Sequence, residues 1–206
     1  MGRVLEFSPQ SPSKFGFERV KKRKKEQPGK HRQLNLFAGG GQVLHLPTDI
    51  GRFEEALILD ERGDARAEEV YLQAISEQDS VADAYCNLGI IESKAGATAK
   101  AFDCFTKSLE HDPRHFESHY NLGNLYFEAG DFRLARMHYE LAAEVDPGFS
   151  NLYFNLGLAL ASQEELQSAM NAFRRYQKLA PRDEAQKADD LMSSLERSLT
   201  LKSRRP

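Results

Sequence analysis

Three histidines at four-residue intervals are the residues of this chain whose spacing could hold a metal ion. His111, His115 and His119 are of a type that binds zinc, but Pro113 interrupts any helix between the first two. At most His115 and His119 share a helix face, and two imidazoles fall short of the three or four protein ligands of a zinc site. We therefore expect no metal site and no cofactor.

The other reactive residue types form no catalytic pattern in this sequence. Cys86 and Cys104 make neither a C-x-x-C site nor a disulfide framework. The sequence has no phosphate-binding Gly-x-x-x-x-Gly-Lys-Ser/Thr loop, no Gly-x-Ser-x-Gly elbow and no His-Glu-x-x-His motif. The acidic pairs at 54–55 and 189–190 fit solvated helix faces. The sequence therefore predicts a protein that is not an enzyme.

The side chains best placed for binding are asparagines that recur at a fixed step. Asn87, Asn121 and Asn155 each begin an Asn-Leu-Gly triplet, and the triplets lie 34 residues apart. A side-chain amide both donates and accepts, so it can pair with the main chain of an extended peptide whatever that peptide's sequence. The residue four positions earlier shares the same helix face. These earlier residues are Asp83, Glu117 and Asn151.

A repeated helical hairpin must position these asparagines, because other residues recur at the same 34-residue interval. Residues 116–129 have an apolar face at helical spacing, Gly130 suits a left-handed turn, and Pro147 ends a second helix. Gly123 and Ala135 are small where the two helices should cross. The classes that keep the step are Tyr85, His119 and Tyr153; Ala101, Ala135 and Ala169; Phe105, Tyr139 and Phe173; and Pro113, Pro147 and Pro181.

This pattern resembles the tetratricopeptide repeat, a 34-residue helix–turn–helix with aromatic-x-x-Leu-Gly, Ala-x-x-x-aromatic and a closing Pro. The resemblance implies an all-α, right-handed superhelix formed by residues 48–182. Its four units are a degenerate one at 48–80 and three clear ones at 81–114, 115–148 and 149–182. It also implies that the asparagine ladder grips the main chain of a bound segment, although the same Asn could be a preference of the scaffold alone.

The first helix of each unit should line a concave groove, and its charges indicate the kind of partner. Members of this family that capture a C-terminal carboxylate place Lys or Arg where Asp83 and Glu117 stand here. We therefore expect a protein or peptide partner with a basic or neutral segment. Aromatic side chains predicted to add apolar contact are Tyr85, Tyr120, Tyr153 and Phe154.

Residues 183–201 are predicted to form a capping helix, since the last hairpin of a solenoid exposes an apolar surface. Asp183 is a suitable N-cap with Gln186 three residues on. One apolar face of this segment is formed by Ala185, Ala188, Leu191, Met192, Leu195 and Leu199.

Residues 1–47 are predicted to be a disordered basic arm on an acidic body. The arm holds ten Lys and Arg against three Glu, a net charge of +7, whereas the whole chain of 206 residues has −3. The run Lys21–Lys25 suggests two roles: masking the groove as a ligand from the same chain, or non-specific contact with nucleic acid.

A short motif in the arm, Gln33-Leu34-Asn35-Leu36-Phe37, is similar to the bacterial sliding-clamp-binding motif. By that resemblance Leu36 and Phe37 would fill an apolar pocket, with Gln33 at its rim. The alternative is that Leu34, Leu36 and the apolar residues at 43–46 cover the edge of the first hairpin.

Three functional hypotheses follow from these patterns. They are an interaction scaffold, a replication or repair accessory tethered to the clamp, and a secretion-type chaperone. Neither a secretory signal nor a run of apolar residues long enough to span a membrane is evident, which predicts a cytoplasmic protein.

Overall fold

The computed structural model describes residues 14–21 and 50–203, and within them the regular structure is helical. Four antiparallel helix pairs follow one another along the chain, and a short helix, a 3₁₀ turn and a longer helix follow the last pair. The helices are α1 (Arg52–Glu61), α2 (Ala67–Ser76), α3 (Val81–Lys94), α4 (Thr98–His111), α5 (Phe116–Glu128), α6 (Phe132–Val145), α7 (Ser150–Ser162), α8 (Leu166–Leu179), α9 (Arg182–Ala185), a 3₁₀ turn (Gln186–Ala188) and α10 (Asp189–Ser203).

The turn inside each pair uses one residue in the left-handed conformation, as the sequence predicts for Gly130. Gly63, Gly96 and Gly130 have φ angles of 70°, 78° and 78°. The last pair has no glycine there, and Glu164 adopts a φ of 61° instead. The left-handed conformation directs the chain back along the helix that it has just left, which makes each pair a hairpin.

In the last three pairs, the two helices cross where a glycine faces an aromatic ring. A Cβ atom added to Gly123 would lie 2.5 Å from Cε1 of Tyr139, and added Cβ atoms at Gly89 and Gly157 would lie 2.7 Å from Phe105 and Phe173. The expectation of a close crossing at Gly123 is confirmed. The glycine in the triplets is therefore required by the contact between the two helices.

Gly123→Ala should destabilise the protein. Tyr139 is fully buried and its hydroxyl donates to Asn124 Oδ1 at 2.8 Å, so the ring has no room to withdraw. Overpacking of this kind costs about 1–3 kcal/mol, which we expect to exceed the roughly 1 kcal/mol that alanine gains over glycine in a helix. The thermal midpoint should fall, whereas Gly148→Ala, which meets only the Asp146 side chain, should leave it near the wild-type value.

Consecutive pairs stack so that their first helices face one another. Helix α5 contacts both α3 and α7, and each second helix also contacts the first helix of the next pair. Helices α3, α5 and α7 therefore form one continuous wall of the array. The buried apolar residues form two clusters, one centred on α1–α4 and one on α5–α8 with α10.

The capping segment is helical, with a break near its start. Helix α9 and the 3₁₀ turn precede α10, and α10 packs against α8. Ala188, Leu191 and Leu195 are buried in the same cluster as Phe173 and Tyr176. No helix of the described residues is both long and apolar enough to cross a membrane.

Part of the arm departs from the predicted disorder. Lys14–Lys21, which we call the arm segment, lies extended against the wall of α3, α5 and α7, and Val20 within it is completely buried. The physical reason is that the wall supplies the hydrogen bonds and apolar contacts that this segment cannot supply for itself. The rest of the arm lies outside the described residues.

Candidate functional site

Three asparagines on the wall hold the main chain of the arm segment. Asn155 Oδ1 accepts from the Phe15 amide at 2.8 Å, and its Nδ2 donates to the Phe15 carbonyl at 3.0 Å. Asn121 makes the same pair of bonds with Glu18, both at 2.8 Å. Each asparagine side chain thus bonds both the N–H and the C=O of one residue in the extended segment. We call the face that carries these asparagines the asparagine groove.

Asn87 makes the third pair, and its position sets the direction of the segment. Its Oδ1 accepts from the Val20 amide at 2.9 Å, and its Nδ2 donates to the Val20 carbonyl at 3.2 Å. The arm segment therefore runs from the last hairpin towards the first, against the order of the hairpins in the chain. Asn87 and its two equivalents are completely buried beneath the segment.

A fourth asparagine contributes where the segment advances by three residues. Phe15 and Glu18, the residues bound by Asn155 and Asn121, are three apart, whereas Glu18 and Val20 are two apart. Asn124, one turn after Asn121, donates to the Gly16 carbonyl at 2.9 Å within the longer interval. The sequence analysis missed Asn124, although Asn121 and Asn124 are three apart and so share a helix face.

Neighbouring side chains orient the amides of the groove. Asn87 Nδ2 donates to the Tyr71 hydroxyl and Asn155 Nδ2 to the Tyr120 hydroxyl, each at 3.0 Å. Asn121 Nδ2 approaches Cys86 Sγ at 3.5 Å. Burial raises the pKa of Tyr71, Tyr120 and Cys86. These groups stay protonated at neutral pH, so the amides meet neutral partners in a fixed geometry.

Three apolar side chains of the arm segment enter separate parts of the groove. Phe15 packs edge-on against Phe154, with ring centroids 5.2 Å apart. Phe17 stacks on Phe105 at 6.2 Å, nearer the middle of the array. Val20 is 0% exposed and joins the apolar cluster of the first two hairpins, beside Asn87. The segment is therefore held by its side chains as well as by its main chain.

Two ion pairs fix the arm segment across the wall. Arg19 donates to Asp60 Oδ1 at 2.8 Å, and only 9% of the Asp60 side chain is exposed. The Tyr71 hydroxyl donates to the other oxygen of Asp60 at 3.3 Å. Lys14 Nζ lies 2.9 Å from Glu128. A largely buried ion pair is less screened by water than one with an exposed partner. The pair of Arg19 with Asp60 should therefore contribute more attraction than the pair of Lys14 with Glu128.

The three residues that precede the asparagines by four positions have other partners. Asp83 Oδ1 accepts from His115 Nε2 at 2.9 Å; the His115 Nδ1 accepts the Ser118 amide and so caps helix α5. Glu117 lies 3.7 Å from the same imidazole. The Asn151 Oδ1 accepts from the adjacent Ser150 hydroxyl. Two carboxylates of the helix array that pair with cations of the arm segment, Asp60 and Glu128, were not predicted from the sequence.

The aromatic residues named from the sequence divide into two groups. Phe154 and Tyr120 belong to the groove, through Phe15 and Asn155. Tyr85 instead stacks on His111. The Tyr153 ring lies beneath the Arg175 guanidinium, and its hydroxyl donates a hydrogen bond to the Pro147 carbonyl. Those two expected groove contacts are wrong, because residues 85 and 153 point towards the second helix of their own hairpin.

The masking hypothesis concerned a run of the arm that lies mostly outside the described residues, and for that run it stays a prediction. Of the run Lys21–Lys25, only Lys21 is described, and it is exposed at the end of the segment. The described residues that dock lie just before the run, and Phe15, Phe17 and Val20 supply their apolar contacts. Gln33, Leu34, Leu36 and Phe37 lie outside the described residues, and their binding to a sliding clamp stays a prediction.

Burial in the groove also changes the ionisation of Glu18. Desolvation by burial raises its pKa above the ordinary value; the nearby Glu117 carboxylate acts in the same direction and Lys21 opposes both. A raised pKa means that the docked state binds the proton more readily than the free segment. Mild acid should therefore favour docking of the segment as far as Glu18 is concerned.

A pair of histidines lies away from the groove, between α5 and α6. His119 Nδ1 and His138 Nδ1 are 3.2 Å apart, and His119 Nε2 contacts the Pro113 carbonyl at 3.0 Å. Burial, and then the charge of His119, lower the pKa of His138 to about 4. Burial also lowers the pKa of His119. His115 belongs instead to the cap of α5, and the described residues contain no cluster of three or more His, Cys, Asp or Glu suited to a metal.

Because of the His119–His138 pair, the free energy of unfolding should decrease as the pH is lowered. Between the ordinary histidine pKa of about 6.5 and the lowered value, the unfolded chain binds more protons, so acid favours unfolding. The thermal midpoint should therefore drop between about pH 7 and about pH 5. His138→Asn should make this drop smaller; an equal drop in the variant and in the wild type would contradict the assignment.

Comparison with known proteins places the helix pairs in a recognised class. Residues 82–115 and residues 120–184 each match a model of the tetratricopeptide repeat. The BBSome complex member BBS4 of Bos taurus is 25% identical over 118 residues, which are 57% of this chain and 23% of that protein. RNA polymerase II-associated protein 3 of Homo sapiens is 27% identical over 154 residues, 68% of this chain and 23% of that protein.

Solved structures show the same fold. The first tetratricopeptide domain of Spaghetti (RPAP3), bound to the HSP90 peptide SRMEEVD, has a TM-score of 0.54 and 24% identity, covering 58% of this chain and 93% of that one. MamA from Desulfovibrio magneticus RS-1, from residue 41 to its end, has a TM-score of 0.56 and 21% identity, covering 71% and 94%.

Proposed function

We propose, from the premise that this chain is an all-helical array of tetratricopeptide repeats, that its asparagine groove binds an extended segment of a partner protein. Such repeats are protein–protein interaction domains. The observation that carries the proposal is the set of paired hydrogen bonds from Asn87, Asn121 and Asn155 to the main chain of the arm segment.

The arm segment stands in for the partner and competes with it. A segment of the same chain binds its groove in an intramolecular step, which gives it an effective concentration that a free peptide in dilute solution lacks. A partner must therefore displace it, and the affinity of the groove for a free peptide is reduced as long as the arm segment is docked. In this proposal the arm keeps the groove closed to weak ligands.

The charges of the groove argue against a ligand like the peptide of the Spaghetti structure. The peptide of that structure, SRMEEVD, ends in acidic residues. Here Asp60 and Glu128 pair with Arg19 and Lys14 of the arm segment. A carboxylate-rich ligand would meet like charges at those positions. We therefore propose a partner segment that is basic rather than acidic.

The test uses the full chain and a fluorescein-labelled peptide with the sequence of residues 13–22. Phe15→Ala/Val20→Ala in the protein should loosen its own segment, and we call this variant the opened chain. The peptide should bind the opened chain at least about tenfold more tightly than the wild type. Adding Asn121→Ala should abolish this gain, and adding Asn151→Ala should preserve it. Peptide SRMEEVD should not compete.

Fluorescence anisotropy measures the binding, and thermal melting verifies that each variant is folded. If the folded opened chain bound the peptide no better with Asn121 present than with Ala at that position, the groove would not be the binding site. Should the opened chain melt early, the wild type can be titrated with excess unlabelled peptide while exchange of the Val20 amide is followed. An unchanged exchange rate at saturation would also overturn the proposal.

A further inference from the structure

We infer that the asparagine groove selects its partner by side chain as well as by main chain. The partner segment has an aromatic residue, an arginine four positions later, and a small branched aliphatic residue directly after the arginine. This inference rests on the proposed function and names the class of ligand for the same site. Its pattern is that of Phe15, Arg19 and Val20 in the arm segment.

The arginine position is set by a carboxylate of α1 that is already held in place. Asp60 is 9% exposed, one of its oxygens accepts from Tyr71 and the other accepts from Arg19. A buried carboxylate whose cation is removed retains its desolvation cost without the compensating attraction. A segment that lacks a cation at this position should therefore bind less well, even if its main chain fits.

The branched aliphatic position is set by space. Val20 is completely buried, and the residues of its apolar cluster include Phe53, Ala56 and Tyr71. Its own amide and carbonyl are held by Asn87, which fixes where its Cβ points. In a closed apolar site of this kind a larger side chain meets overpacking, and a smaller one leaves a cavity.

The aromatic position lies at the opposite end of the groove. The Phe15 ring packs against Phe154 at 5.2 Å and against Tyr176 at 5.9 Å, and its main chain is held by Asn155. Aromatic anchors in such sites dominate the binding energy of an interface. The distance between the two ends of the groove then requires four residues between the aromatic and the branched aliphatic residue.

One position of the segment provides a matched control. Gly16 is exposed, and a Cβ atom added there would meet nothing within 4 Å. Its carbonyl accepts from Asn124, a bond that an alanine would retain. Gly16→Ala therefore adds a methyl group that meets no atom of the groove and keeps the main-chain bond to Asn124, so it should alter the affinity by less than about twofold.

The experiment measures the opened chain against peptides that carry single changes in the sequence of residues 13–22. Phe15→Ala, Arg19→Gln and Val20→Ala should each weaken binding by about tenfold or more, and a scrambled peptide of the same composition should not bind. In the opened chain with Asp60→Asn, which retains a partner for Tyr71, Arg19→Gln should weaken binding by less than about twofold.

The outcomes separate this inference from the proposed function. If the scrambled peptide bound the opened chain as tightly as the parent peptide, the inference would be overturned. The groove would still bind the main chain of an extended segment. If Arg19→Gln in the peptide weakened binding equally in the opened chain and in the opened chain with Asp60→Asn, the role of Asp60 would be overturned. Absence of binding by the parent peptide to the folded opened chain would overturn the proposed function itself.

Discussion

Replacing Asn121 with alanine should release the arm segment from the middle of the groove. The change removes the bonds to the Glu18 amide and carbonyl, both 2.8 Å long. Losing two hydrogen bonds, and leaving a main-chain donor and acceptor without partners, costs about 2–4 kcal/mol. Docking should therefore weaken by roughly thirty-fold or more.

Amide hydrogen exchange in the full chain measures this effect. The amides of Phe15, Glu18 and Val20 donate to the three asparagines, so they should exchange slowly in the wild type. In Asn121→Ala all three should exchange faster, because the segment opens as one unit. The amide of Leu125, in the buried part of α5, serves as the internal reference for global unfolding.

The matched control is Asn151→Ala, which removes an asparagine from the equivalent helix at a position bonded to Ser150 rather than to the arm. It should leave the exchange of the arm segment unchanged. If Asn121→Ala altered the three amides no more than Asn151→Ala did, the main-chain bonds would contribute nothing to docking. Faster exchange of Leu125 as well would show that the helix array itself had been weakened.

Replacing Leu195 with alanine should lower the free energy of unfolding by about 2–5 kcal/mol. Leu195 is 2% exposed and lies with Phe173 and Tyr176 in the cluster that the last hairpin shares with α10. The shortened side chain leaves a cavity against α8, and it loosens the helix that covers the end of the array. The thermal midpoint should fall by several degrees, roughly 2–4 °C for each kcal/mol.

Ser193→Ala is the control for this helix, because residue 193 is exposed two positions earlier on α10. Its thermal midpoint should stay close to that of the wild type. Static light scattering during the melt should show earlier aggregation for Leu195→Ala, since the uncovered face is apolar. A midpoint for Leu195→Ala that equals the control would mean that α10 does not cap the array.

The repeat itself could be predicted because each of its residues has a local physical reason. Gly123 must be small beside Tyr139, and Gly130 must turn left-handed, so both recur in the sequence at the 34-residue step. The last hairpin shows the limit of such signals, because Glu164, a residue type that rarely adopts the left-handed conformation, occupies its turn. Packing of α7 on α8 then imposes the conformation that propensity alone would not favour.

Asn87, Asn121 and Asn155 could be chosen from the sequence, because their spacing places them on one wall of a stacked array. Their partners could not be chosen in the same way. Asp60 and Glu128 lie near the C-terminal ends of α1 and α5, in different hairpins, and their residue types do not show which segment they pair with; the path of the arm segment brings its cations to them. Phe15 and Phe17 alternate as in an extended chain, a short signal that composition obscured within a basic arm.

By itself, then, the sequence determined the helical hairpins, the small residue at their crossing and the row of asparagines. Tertiary structure alone decided what lies in the groove. The physical reason is that an asparagine bonded to main-chain N–H and C=O groups accepts any extended residue, so its presence carries no information about which segment it binds. That choice is made by Asp60, by the enclosed site of Val20 and by the rings around Phe15, which the fold assembles from distant parts of the chain.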